Sequence, residues 1–163
     1  MKDFERLLKN INNLDLNDIF KTLWSKNEVQ KYIVRLNTKG EKTSQLFELG
    51  EDSQGAKLIG STDNWLSGGE YTTFTVQKKI ERGQRFDHPT LESSGNFYNS
   101  FIVVPNSKGF KTEANPIVDD GRNLFDLLAN GKEVLGLNKE NEELLLVFVE
   151  KDFNKEFEKR LLQ

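Results

Sequence analysis

The C-terminal segment constrains the fold most, because it combines a continuous apolar run with a helical repeat. Residues 144–149 are Leu-Leu-Leu-Val-Phe-Val, a composition typical of a buried strand. From within that run, one apolar side chain recurs at every fourth position among glutamates and lysines: Leu145, Val149, Phe153, Phe157 and Leu161. This spacing places the five side chains on one side of an α-helix. The pattern therefore predicts one long amphipathic helix from about Lys139 onward, with a buried strand as the alternative.

The first fifty residues are also predicted to be mainly helical. Apolar residues recur at helical spacing in a first helix (Phe4, Leu7, Leu8, Ile11), which Asn12 and Asn13 interrupt. Asp15 or Asn17 is suited to cap a second helix. The apolar period then continues through Ile19, Phe20, Leu23, Trp24, Val29, Tyr32, Ile33 and Leu36. One or two further turns over residues 44–49 should end at Gly50, since glycine accommodates the left-handed backbone that follows many helices.

The middle of the chain alternates between turn-forming and regular segments. Residues 51–70 are rich in Asp, Ser and Gly, which predicts an irregular surface excursion. Residues 71–82 should form a helix, capped by Thr72 or Thr73 and ended by Gly83. Residues 101–104 and 110–114 flank Pro-Asn-Ser-Lys-Gly and so predict a β-hairpin. Residues 123–129 resemble a helix that Asn130-Gly131 would stop.

Together these elements predict an α+β fold. An antiparallel β-sheet or hairpin should pack against helices, with a helical N-terminal extension and a long C-terminal helix. The 163 residues fit one domain of ordinary size. We assign residues 1–163 to that single domain, with residues 1–43 as the helical extension and residues 44–163 as the core.

Composition narrows the possible functions. The chain has no cysteine, which excludes disulfides, thiolate nucleophiles and thiolate metal ligands. Its 23 basic and 26 acidic residues give a net charge of -3, which disfavours a dedicated nucleic-acid binder because such proteins must neutralise phosphates. The N-terminus lacks the apolar core of a signal peptide, and no window approaches the roughly 18 apolar residues of a membrane span. We therefore expect no association with a membrane.

The single histidine is the first candidate for chemistry. His88 follows Asp87, and a small hydrolase could combine them with Ser93 or Ser94 as nucleophile. Adjacent side chains usually point apart, however, so the Asp87–His88 pair is not a catalytic dyad by sequence proximity alone. We expect a loop histidine and no enzymatic activity.

Metal, phosphate and basic-patch candidates are also weak. Residues 51–55 faintly resemble a calcium loop but lack its alternating acidic ligands, and Asp119-Asp120-Gly121 is typical of a turn. Ser67-Gly68-Gly69 lacks the Gly-Lys-Ser/Thr of a phosphate-binding loop. No catalytic, cofactor-binding or metal-binding residue is predicted, and no cofactor is expected. The basic cluster is expected to form a solvated helix face, with a nucleic acid or an acidic protein as alternative partners: Lys78, Lys79, Arg82 and Arg85.

Four short stretches occur in an order that resembles a known family. They are Gln-Leu-Phe-Glu-Leu-Gly at residues 45–50, Tyr-Thr-Thr-Phe-Thr-Val-Gln-Lys-Lys at residues 71–79, Thr-Leu-Glu-Ser-Ser-Gly-Asn-Phe-Tyr-Asn-Ser-Phe at residues 90–101, and Val-Leu-Gly-Leu-Asn-Lys-Glu at residues 134–140. Their order and spacing resemble the tail-completion and virion-morphogenesis proteins of tailed bacteriophages, which act at the head–tail joint. The similarity covers roughly residues 44–162. It does not include the N-terminal helices.

The resemblance implies a structural role. The chain would be a subunit of the head–tail connector or neck, assembled in the host cytoplasm into a homo-oligomeric ring of six or twelve copies in the virion. Its implied partners are other neck, portal or tail proteins, and DNA would at most pass through the channel. The polar excursion over residues 51–69 and the terminal helices are the expected contact regions. The alternatives are another phage structural protein, an intracellular binding module, or the small hydrolase described above.

Overall fold

The computed structural model describes residues 2–60, 71–106, 108–128 and 134–162. Three helices open the chain: α1 (Lys2–Asn12), α2 (Leu16–Trp24) and α3 (Asn27–Asn37). A single π-helical turn (Gln45–Leu49) follows, and then α4 (Thr73–Glu81) and the short α5 (Asn96–Asn99). Strands β1 (Ile102–Asn106) and β2 (Gly109–Glu113) form an antiparallel hairpin in which Val103 pairs with Thr112. A 3-10 turn (Leu124–Leu127) precedes the last helix, α6 (Lys139–Leu162).

The predicted fold class is confirmed: a two-stranded antiparallel hairpin packs against helices, and one long helix ends the chain. The strand alternative for residues 144–149 is wrong, because the whole run lies inside α6. Leu145 and Val149 are buried, and the remaining members of the four-residue repeat are half-buried on the same side. The helical period therefore outweighs the strand-like composition, since it gives the helix a continuous inward face.

Most local boundaries also follow the sequence. Asp15 caps α2 by accepting hydrogen bonds from the backbone N–H groups of Asn17 and Asp18, and Thr72 caps α4 through Thr75. Gly50 has φ +60°, as expected of a residue that ends a helix in the left-handed region. The prediction of a helix over residues 123–129 is wrong. Only a 3-10 turn forms within the described part of that range, and Leu128 instead pairs with Gly60 in an isolated bridge.

Apolar side chains collect into two clusters. One lies between α2, α3 and α6 and contains Trp24, Val29, Ile33, Leu36, Leu137, Leu145 and Val149. The other is formed by Leu46, Leu58, Leu91, Phe97, Phe101, Leu124, Leu128 and Val134. In the second cluster, Phe97 contacts Phe101 and Phe125 edge to face at centroid distances of 5.1 and 5.8 Å. The aromatic residues of α5 therefore anchor the entry into the hairpin to the core.

Buried amides join the start of α6 to the end of α3. Asn138 caps α6 by accepting a hydrogen bond from the Asn141 N–H, and its own N–H donates to Gln45 Oε1 at 2.7 Å. Asn141 Nδ2 donates to the carbonyls of Leu36 at 3.2 Å and Thr43 at 2.9 Å. These side chains satisfy main-chain groups that would otherwise be buried without partners, which fixes where the long helix begins.

Replacing Asn141 with leucine should destabilise the protein by about 2 kcal/mol, because two carbonyls lose their donor while the number and branching of the side-chain heavy atoms are kept. Urea unfolding monitored by circular dichroism would measure the change. Asn154→Leu is the matched control, since Asn154 is exposed on the same helix. Equal losses for both variants would contradict a specific role for the Asn141 amide.

Candidate functional site

His88 lies against the π-helical turn and not beside a serine. Its Nε2 is 2.9 Å from the Phe47 carbonyl, to which it donates, and its Nδ1 is 3.3 Å from Asp87 Oδ1. Its ring also packs so closely on Gly50 that a Cβ at that position would overlap His88 Cδ2. The histidine thus fastens the segment before residue 90 to the end of the π-helical turn.

The other members of the hypothetical hydrolase site are engaged elsewhere. Arg85 donates to both carboxylate oxygens of Asp87, at 2.6 and 3.0 Å, and also to Glu48 at 2.6 Å. The Arg85 hydrogen bond is the main cause that lowers the pKa of Asp87 to about 2. Ser94 Oγ lies 3.5 Å from the Asn96 N–H, and Ser93 accepts a hydrogen bond from Gln84 at its carbonyl. In the described ranges, no serine hydroxyl forms a hydrogen bond with His88.

A buried polar joint connects α4 to residues 90–92. The Thr90 N–H donates to the Tyr71 hydroxyl at 2.9 Å, and the Tyr98 hydroxyl donates to the Thr90 carbonyl. Lys79 enters from α4 and donates to Thr90 Oγ1 at 3.2 Å and to the Glu92 carbonyl at 2.8 Å. Its ammonium also lies 4.8 Å from the centroid of the Tyr71 ring. The backbone N–H and the carbonyl of Thr90 are therefore both hydrogen-bonded to side chains from other parts of the chain.

Lys79 is the main departure from the predicted solvated basic face. Its side chain is only 6% exposed, and burial lowers its pKa to about 8. The apolar residues Phe74 and Ile80 of the same helix are exposed instead, at 71% and 56%. Apolar periodicity predicts the opposite arrangement, with the apolar residues of α4 buried and its lysines exposed. The four basic residues do not form one patch, because Lys79 is buried and Arg85 is paired with acids.

Leu91 has a backbone conformation that is rare for its residue type. Its φ is +56°, in the left-handed region, and its side chain is buried in the core. A residue with a Cβ pays about 1–2 kcal/mol for this conformation. The flanking hydrogen bonds of Thr90 and Glu92 hold it in place. Such strain is found where the surrounding structure fixes a chain segment strongly, often at binding sites.

A cleft of about 160 Å³ opens between α4, residues 91–93 and the 3-10 turn. Its apolar lining includes Leu91, Leu124, Leu127 and the ring of Tyr71. Basic side chains line it as well: Lys78, Lys79, Arg82 and Arg122. Apolar lining with convergent cations is what a site for a small anionic group requires. We name this site the Lys79 cleft.

The acidic turns have structural roles. Asp52 is buried and accepts hydrogen bonds from the N–H groups of Gln54 and Ala56, both at 2.9 Å. Asp120 pairs with Arg122 at 2.6 Å, and Asp119 accepts from the Asn96 side chain. The described ranges contain no group of acidic residues and histidine arranged to hold a metal ion. The predicted excursion is described only up to residue 60, and Ser67-Gly68-Gly69 lies outside the described residues.

Two apolar surfaces of the helices face solvent. On α6, Leu144, Leu146, Val147 and Phe148 are exposed by 36%, 55%, 71% and 43%, and we name them the α6 collar. On α1, Phe4, Leu7, Leu8 and Ile11 are exposed by 36–65%, and we name them the α1 face. None of the helices in the described ranges is long and apolar enough to cross a membrane.

Comparison with known proteins identified no relatives. No family model, curated protein or solved structure matches this chain.

Stability should rise with pH between about 8 and 10 because of Lys79. In the folded protein its pKa is about 8, whereas in an unfolded chain a lysine stays protonated to about 10.4. Between these values the unfolded state binds more protons, so raising the pH favours folding. Above about pH 10 the trend should reverse, since burial raises the pKa values of Tyr71 and Tyr98 and the unfolded tyrosines then ionise first.

Urea unfolding at a series of pH values would measure this rise, which should be on the order of 2 kcal/mol. Lys79→Met should abolish it, while Lys78→Met should retain it because Lys78 is exposed on the same helix. A pH-independent stability over this range in the unmodified chain would contradict the inference.

Proposed function

We propose that this chain is a structural subunit of a tailed-phage particle, located at the head–tail joint and assembled there as a ring. The observation that supports an assembly role best is the α6 collar. The family resemblance supports the location.

The collar exposes four apolar side chains within five consecutive residues of α6. A helix that is apolar on all sides is normally buried, and residues 144–149 are apolar at every position. Leu145 and Val149 are buried in the core of this chain, and Phe148, although 43% exposed, stacks on Tyr32 with the ring centroids 4.2 Å apart. Contiguous exposed apolar surface of this kind is typical of a protein interface. We infer that another protein subunit covers the outer side of the collar.

The α1 face provides a second, different surface. Asn10 Nδ2 donates to the Leu161 carbonyl at 2.9 Å, so α1 lies at the C-terminal end of α6. At about 1.5 Å per residue, Leu161 is roughly 22 Å along the helix from Leu146. Two separate apolar surfaces on one subunit favour contacts between unlike surfaces of neighbouring copies, which close into a ring when the rotation permits.

The four stretches that resemble the phage family contact one another. Gln45 bonds to Asn138 and to the Gly136 carbonyl, which links the first stretch to the fourth. Leu46 of the first stretch lies in one apolar cluster with Leu91 and Phe97 of the third. The bonds of Thr90 to Tyr71 and Lys79 join the third to the second. The residues that carry the resemblance therefore lie close together in the interior of the fold.

Identification of this chain in purified particles by mass spectrometry would test the proposal. We expect a constant copy number per particle, together with a ring-sized species of the isolated chain, or of the chain with neck proteins, in sedimentation velocity. Absence from particles, combined with a monomer in the presence of virion proteins, would overturn the proposal.

A further inference from the structure

We propose that the Lys79 cleft binds a single aromatic or branched apolar group that carries a carboxylate. This site is separate from the α6 collar and the α1 face, and its function does not depend on the assembly role proposed above. The argument rests on the size of the cleft, its lining and the distribution of charge around it.

The size of the cleft matches one ring. A cavity of about 150 Å³ lined by apolar side chains is sufficient to bind benzene. The Lys79 cleft has a volume of about 160 Å³ and three leucines in its lining. A six-membered ring or a leucine-sized side chain matches this volume.

Four basic residues and the acidic Glu92 line the cleft, and Glu92 is paired with Lys39 at 3.2 Å, so the lining favours an anion. Arg122 is paired with Asp120 at 2.6 Å, and Lys78 lies 3.5 Å from Glu81. Arg82 is exposed and, among the described residues, forms no ion pair. It lines both the Lys79 cleft and the neighbouring polar depression with Ser94 and Asp119. A carboxylate attached to a ring in the cleft can therefore accept hydrogen bonds from the Arg82 guanidinium at the mouth, a geometry that favours arginine.

The walls of the cleft are preorganised. Leu91 is held in its left-handed conformation between Thr90 and Glu92, whose main-chain groups are bound by Tyr71 and Lys79. This fixes one leucine of the lining before any ligand arrives, and a preformed pocket loses less conformational entropy on binding. The strained Leu91 is thus itself part of the cleft lining.

Two sources could supply this chemistry. One is a free small carboxylic acid. The other is the C-terminal residue of a partner protein, in which one residue provides both the side chain and the carboxylate. A C-terminal residue carries a peptide-bonded nitrogen next to its carboxylate, whereas a free acid need not. A site for a C-terminal residue must therefore accommodate an acylated amino group beside the carboxylate.

NMR titration of the full chain with three probes would test the site. Benzoate carries a ring and a carboxylate, N-acetyl-phenylalanine mimics a C-terminal residue, and N-acetyl-phenylalaninamide lacks the charge. We expect saturable shifts of the methyl signals of Leu91, Leu124 and Leu127 with at least one carboxylate probe, and an increase in the Lys79 pKa on binding. The amide should bind at least about tenfold more weakly, because it loses a charge-assisted hydrogen bond.

Arg82→Gln should weaken binding of the carboxylate probe by about tenfold, whereas Arg35→Gln should not, although it changes the net charge equally. Arg35 is on α3 and pairs with Glu41. Tighter binding of N-acetyl-phenylalanine than of benzoate would identify a C-terminal residue as the source, and the reverse would identify a free acid. No saturable shift with either carboxylate, or equal losses in both arginine variants, would overturn the proposal.

Discussion

Gly50→Ala should lower the free energy of unfolding by about 3 kcal/mol. Two costs add at this position. The residue has φ +60°, which costs a residue with a Cβ about 1–2 kcal/mol. The new Cβ would also overlap the His88 ring, so the ring must move and its hydrogen bond to Phe47, worth about 1 kcal/mol, must weaken. Chemical denaturation followed by tryptophan fluorescence would measure the change.

Gly83→Ala provides a matched control. Gly83 has nearly the same φ, +63°, but a Cβ there would meet no atom within 4 Å. Gly83→Ala should lower the free energy of unfolding by only about 1–2 kcal/mol, because it adds the backbone cost alone. Adding His88→Ala to Gly50→Ala should remove the overlap, so the double variant should lose less than the sum of the two single variants. Strict additivity would show that His88 does not pack against Gly50 as described.

Val147→Glu should abolish assembly while leaving the isolated fold intact. Val147 is the most exposed member of the α6 collar, at 71%, so a charge there costs this chain little stability. In an assembled ring the same charge would be buried without a partner, which costs several kcal/mol at every interface. Sedimentation velocity should show loss of the ring-sized species, and circular dichroism should be unchanged.

Asn154→Glu is the control for the collar. It adds the same charge to an exposed position of the same helix, outside the apolar run. We expect normal assembly from this variant. Assembly of Val147→Glu at the normal level would contradict the role of the collar, and failure of both variants would indicate a general charge effect instead.

The regular elements could be predicted because their signals are local. The four-residue repeat of α6, the caps Asp15 and Thr72, and the turn between the two strands each depend on neighbours in sequence. The 3-10 turn after Asn123 could not be predicted, because its apolar residues satisfy a helical pattern and its end is set by the bridge between Leu128 and Gly60. Distant pairing decided that boundary.

Most features of the candidate site could not be predicted from the sequence. Lys79 belongs to a run of charged residues, and nothing in that run distinguishes it from Lys78. Its burial depends on acceptors at Thr90 and Glu92, which lie eleven and thirteen residues away along the chain. The left-handed backbone of Leu91 also has no sequence signal, because leucine rarely adopts that conformation.

Sequence alone therefore determined the hairpin, the helical segments other than residues 123–129, and the absence of cysteine chemistry. Tertiary structure decided the role of residues 88–101. His88 is a packing partner of Gly50, Thr90 is hydrogen-bonded to Tyr71 and Lys79, and Leu91 lines a cleft together with basic side chains. The physical reason is that periodicity and capping act over a few residues, whereas the burial of a charge and the shape of a cleft depend on groups brought together from distant parts of the chain.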